Sequence, residues 1–106
     1  MNFITKPTEL FLNQIKDLDE KSKRVIRNKI GLIKLNPYRY KRIHSRKFSK
    51  VFRVRLNFQG KEIRMIYVLL RQSIILVCLL DRGKGYKDIE RYLSKILWKI
   101  ESNFCI

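Results

Sequence analysis

VFRVRLNFQGKEIRMIYVLLRQSIILVCLLDR, residues Val51 to Arg82, reads as three consecutive strands joined by two tight turns. Its first run alternates strictly. Phe52, Val54 and Leu56 are apolar while Arg53, Arg55 and Asn57 are polar, the period of two of a half-buried strand. A turn at Gln59-Gly60, with glycine supplying a positive φ, pairs Leu56 with Ile63, Arg55 with Arg64, Val54 with Met65 and Phe52 with Tyr67. The apolar sets then share one face. Arg55 opposes Arg64 on the other, an arrangement that costs stability and that selection for folding alone would avoid.

The third run, Ser73 to Leu80, is apolar at nearly every position, as expected of a central strand covered on both faces. A short Arg71-Gln72 turn brings Leu79 beside Arg64 and leaves Asp81-Arg82 at the same rim. Arg53, Arg55, Arg64 and Arg82 then converge on a place suited to a polyanion.

Working outward, Phe3-Ile4-Thr5 begins a short strand. Thr5 or Thr8 caps a helix with Pro7 in or near its first turn, carrying the stripe Phe11, Ile15 and Leu18. Asp17-Leu18-Asp19 interrupts it, and a second helix from about Glu20 to Leu35 carries Ile26, Ile30 and Ile33. Asn36-Pro37 ends that helix. The segment Tyr38 to Lys50, YRYKRIHSRKFSK, reads as a loop in which Lys41, Arg42, Arg46 and Lys47 stand among tyrosines, His44 and Phe48. That mixture suits single-stranded RNA, with cations on phosphates and rings on bases; the alternative is a solvated charged loop. After the link Gly83-Lys84-Gly85-Tyr86, residues Lys87 to Glu101 predict a helix whose stripe, including Ile89, Tyr92, Leu93 and Ile96, needs an apolar surface such as Ile66, Val68, Ile75 and Val77.

The 106 residues are expected to form a single α+β domain: a short N-terminal strand, a helical hairpin, a three-stranded antiparallel meander and a C-terminal helix. Lys and Arg number 25 against 9 acidic residues, a formal charge of +16, while 45% of residues are hydrophobic. A folded basic domain follows, and the charge favours a phosphate-rich partner, with an anionic membrane surface or an acidic protein as the lesser readings. Cys78 and Cys105 have neither pairing nor ligand spacing and are expected to be free thiols in a reducing cytoplasm. The longest apolar run is too short for a bilayer, so no membrane partner is expected. One histidine and scattered cysteines offer no metal-ligand cluster, so no metal or other cofactor is expected, and His44 has no visible triad partner. What cationic residues and a phenol can support is attack of a ribose 2′-hydroxyl on its neighbouring phosphate, with arginines holding the nonbridging oxygens.

The order of parts resembles the RelE/ParE superfamily of toxins from toxin–antitoxin pairs, over roughly Phe3 to Leu97. The strongest pieces are FRVRLNFQGKEIRMIYVL and ILVCLLDRGKGY, which are similar to the family's basic-x-basic strand, its Arg-x-x-Tyr strand and its arginine-bearing last strand. For RelE-like members the resemblance implies a cytoplasmic endoribonuclease that cuts mRNA in the ribosomal A site, leaving a 2′,3′-cyclic phosphate, and that is held by a cognate antitoxin protein. It implies catalytic roles for Arg64 at the transition state, Arg82 at the leaving group and Tyr86 on a base or proton, and phosphate contacts for Arg53 and Arg55. Two departures stand out. Lysines are common where Arg53 and Arg55 stand, and an arginine is a poor general base, so the proton acceptor is left unassigned. Only four positions separate Arg82 from Tyr86, which leaves either Tyr86 or Lys84 at that point. The alternatives are a ParE-like, non-enzymatic gyrase inhibitor and an RNA-binding module without cleavage.

Overall fold

A computed structural model describes residues 2–81 and 89–94. Strands β1 (Ile4–Pro7), β2 (Lys41–Ile43), β3 (Val51–Phe58), β4 (Lys61–Leu70) and β5 (Ser73–Asp81) form one sheet in the order β1-β5-β4-β3-β2, with helices α1 (Glu9–Ile15) and α2 (Glu20–Leu35) between β1 and β2. Residues 89–94 are helical.

The sheet is built on the β3–β4 hairpin. Gln59 and Gly60 have φ of 52° and 70°, the left-handed pair that matches hairpin geometry to strand twist. The ladder runs in the expected register, Val54 opposite Met65, Arg55 opposite Arg64 and Leu56 opposite Ile63. Gln59 Nε2 also donates to Asp19 Oδ1 at 3.4 Å, tying the turn to the start of α2.

One face of the hairpin joins the two helices. Phe52, Val54, Leu56, Met65, Tyr67, Ile74 and Leu76 bury against Phe11, Ile26 and Ile33, with Ile15, Leu18 and Ile30 at the margin. Inside this core Phe52 stacks on Tyr67 at 5.3 Å, and the Tyr67 hydroxyl donates to the Pro37 carbonyl at 2.7 Å. Burial pushes the Tyr67 phenol well above its ordinary range, so it stays a donor. On the opposite face Val51, Ile66, Val68, Ile75, Val77 and Cys78 pack with Phe48, Ile89 and Leu93, the surface expected for the last helix. Burial pushes the Cys78 thiol up to about 12, and Cys78 is free. Cys105 and the remainder of the expected last helix lie outside the described residues.

Three features correct the sequence reading. Tyr38 to Lys50 is not entirely loop: Lys41–Ile43 forms an antiparallel edge strand on β3, so the sheet has five strands and β4 is central, with β5 between β1 and β4. Pro7 closes β1 and does not enter a helix; it sits on an edge strand, where a missing N–H is tolerated. Thr8 caps α1, its Oγ1 accepting from Phe11 N at 3.0 Å. The β4–β5 register also shifts between Ile66 and Tyr67. Tyr67 faces Leu76 and Ile66 faces Cys78, so Val77 is the extra residue of a bulge, and Leu80, not Leu79, lies opposite Arg64.

The bulge is held from the edge. Thr8 N donates to Leu76 O at 3.0 Å and Thr8 Oγ1 to Val77 O at 2.7 Å. Farther along, beyond the end of β1, the Gln14 amide replaces a strand: Nε2 donates to Leu79 O at 2.9 Å and Oε1 accepts from Leu79 N at 2.7 Å. Gln14 thereby closes an edge that would otherwise present unpaired backbone groups. Replacing Gln14 by Ala should cost about 1–3 kcal/mol in denaturant unfolding, and Gln14→Glu, which cannot donate to Leu79 O, should also destabilise.

Asp19 caps α2 by accepting from Ser22 N at 3.2 Å. Hydrogen bonding from Ser22 holds its carboxyl below the usual range, so its contribution is present above the unfolded-state value of about 3.9 and is lost as pH falls through the lower folded value. Asn caps comparably. Asp19→Asn should leave stability near pH 7 little changed and remove part of its acid dependence, read from thermal unfolding across pH 2–7.

Candidate functional site

The face that packs Ile89 and Leu93 at one end of the sheet becomes cationic toward the β3–β4 turn. Directly paired residues share a face, and two successive ladder pairs place like charges opposite each other: Lys41 of β2 against Arg53 of β3, and Arg55 of β3 against Arg64 of β4. Lys41 and Arg55 are exposed, while Arg53 and Arg64 are half-buried. The Nε of Arg64 is buried, and Leu80 lies opposite Arg64 on β5.

Desolvation strengthens such a guanidinium toward a bound anion, because charge interacts more strongly in a lower effective dielectric. Each opposed pair costs a few tenths of a kcal/mol up to about 1 kcal/mol. Two such pairs on one face, beside an otherwise apolar surface, are an arrangement that a phosphate backbone would relieve.

One acidic residue enters the row, and the sequence reading missed it. Glu62 lies opposite Asn57 and, two residues before Arg64, on the same face. Its Oε1 is 3.6 Å from Arg55 Nε, with the Arg55 side chain 62% exposed and that of Glu62 24% exposed. An ion pair this open contributes little stability. The signal was available in the hairpin register, which fixes Glu62 beside Arg55 and Arg64 once the Gln59-Gly60 turn is placed.

The remaining expected residues separate. Arg42 points to the helix-bearing face, its guanidinium carbon 5.8 Å from the Phe52 ring centroid and its Nε donating to Ser49 O at 3.1 Å. Tyr38 meets Phe52 edge-on at 6.3 Å, with the Lys50 ammonium 5.6 Å from the Tyr38 ring centroid. Arg46 and Lys47 are exposed in a turn organised by Ser45 Oγ, which accepts from Lys47 N at 3.0 Å. Arg46 N donates to Glu90 Oε1 at 3.2 Å, so this turn lies beside helical residues 89–94. Arg82, Lys84 and Tyr86 lie outside the described residues.

A cleft of about 350 Å³ opens where Gln14, Leu18, Phe58 and Lys61 approach Leu79 and Tyr92, and none of the described arginines lines it. Among the described residues no helix is long and apolar enough to cross a membrane, and no group of three or more His, Cys, Asp or Glu side chains gathers as a metal site.

No family model matches the chain, and no curated protein matches it in sequence. Among solved structures it is similar to the E. coli toxin RelE, a double arginine-to-alanine mutant in the free state, with a TM-score of 0.66 and 12% sequence identity, covering 92% of this chain and 99% of that one. The five-stranded sheet with a helical hairpin on one face is thus a RelE-like fold.

Proposed function

We propose that this chain is the toxin of a toxin–antitoxin pair and acts as an endoribonuclease on mRNA in the A site of translating ribosomes. The observation that carries the reading is the Arg55–Arg64 ladder pair, continued by Lys41–Arg53 on the same face. The RelE-like fold supports it.

In this reading Arg64 holds a nonbridging oxygen of the scissile phosphate and gains interaction as the phosphorane develops. Arg53, Arg55 and Lys41 hold flanking phosphates, and Arg46, Lys47 and Arg42 contact RNA or ribosome farther out. Arg82 neutralises the leaving oxygen, and Tyr86 or Lys84 completes the site, as the family resemblance implies. The 2′-hydroxyl attacks phosphorus, O5′ leaves, and a 2′,3′-cyclic phosphate results without a metal ion taking part. The charge of +16 favours an acidic or amphipathic antitoxin wrapped over the basic face.

Catalysis and folding are separable here. Arg64 points away from the core formed by Met65 and Ile63, so Arg64→Ala should change unfolding free energy by no more than about 1 kcal/mol, since it also removes the repulsion with Arg55. Single-turnover cutting should fall on the order of a hundredfold or more. Arg53→Ala should chiefly weaken binding, because a flanking phosphate contact acts alike on ground and transition states. An Arg64→Ala protein that folds normally and cuts programmed ribosomes at the parental rate would remove the central residue of this account.

A further inference from the structure

Proton abstraction is the step that the arginines leave unserved, since a guanidinium retains its proton beyond a pH of about 12. We infer that Glu62 is the proton acceptor for the attacking 2′-hydroxyl; the inference rests on the ribonuclease reading above and deepens it.

Three observations place it there. Glu62 and Arg64 are two residues apart on β4 and share a face, so their side chains emerge about 7 Å apart. A phosphate seated on Arg64 therefore presents its ribose within reach of the Glu62 carboxylate. The Oε1 of Glu62 lies 3.6 Å from Arg55 Nε, and the side chain is only 24% exposed, so a cation orients the carboxylate at the border of the arginine row. Finally, among the described residues of the ladder, Glu62 is the acidic member of a surface whose partners are Lys41, Arg53, Arg55, Arg64 and the neutral Asn57. An acidic residue there opposes RNA binding, and the proton transfer gives it a use.

The step balances. Glu62 takes the 2′-hydroxyl proton as the O2′–P bond forms; the P–O5′ bond breaks with its electron pair on O5′, which takes a proton from water, and Glu62 returns its own to solvent. Arg55 aims the carboxylate, and Arg64 holds the phosphate.

A carboxylate that merely screens Arg55 from Arg64 predicts the opposite outcome on removal, which makes the test decisive. Single-turnover cutting of a defined mRNA on programmed ribosomes is compared for the parent, E62D and E62Q, with ribosome affinity and thermal unfolding measured for each. E62Q is expected to bind at least as tightly as the parent, to melt within a few degrees of it and to cut about 100-fold more slowly or worse, with E62D between the two. E62Q cutting at the parental rate or faster overturns the assignment and leaves the ribonuclease reading intact. Loss of cutting matched by a fall in melting temperature assigns Glu62 to the fold and overturns it equally. A parent that leaves mRNA uncut removes the ribonuclease reading and the proton acceptor with it.

Discussion

The Gln59-Gly60 turn is the constraint on which the rest of the molecule depends. Two consecutive left-handed residues fix the β3–β4 register, and a slip of one residue would move every side chain of one strand to the other face. In the observed register the hairpin delivers Phe52, Val54, Leu56, Met65 and Tyr67 to the helices and Arg53, Arg55, Glu62 and Arg64 to the opposite face. Core and site are the two sides of one hydrogen-bonded ladder.

That coupling explains why the basic row is tolerated. The repulsion across two ladder pairs amounts to about 0.5–2 kcal/mol in total. Burying a single large apolar side chain contributes about 1.5–3 kcal/mol, and the helix-bearing face buries many, with Tyr67 and Phe11 among the largest. The ladder also fixes the backbone positions of Arg64 and Glu62, which limits the ordering entropy that binding an anion there would cost.

How much of this the sequence revealed depended on contrast between neighbouring residues. The β3–β4 register was legible because Val54, Arg55 and Leu56 alternate in polarity, and the α2 boundaries were legible from Asp19 and Asn36-Pro37, which cap and end it. The bulge at Val77 was not, because Ile74 to Leu80 is uniformly apolar and a one-residue slip leaves no mark on such a run. Strand β2 escaped for a related reason: Lys41, Arg42 and Ile43 carry no strand signal of their own and are ordered by pairing with Val51 to Arg53. The Gln14 clasp on Leu79 spans 65 residues of sequence, and no local pattern announces such a contact. Within the site, the opposed arginines followed from the hairpin, whereas Arg42 was grouped with Lys41 by proximity in sequence although adjacent strand residues face opposite ways. Glu62 carries no local signal, because it stands alone among basic and apolar neighbours and only the hairpin register brings it beside Arg55 and Arg64.

In the proposed reaction the ribose hydroxyl acts as nucleophile beside Arg64. An mRNA carrying one 2′-deoxynucleotide at the A-site position where the all-ribose message is cut tests that point with the protein unaltered. The account predicts that the substituted message stays intact at that position, while the all-ribose message is cut to a 2′,3′-cyclic phosphate. Cutting of the deoxy-substituted message at the same bond would contradict it.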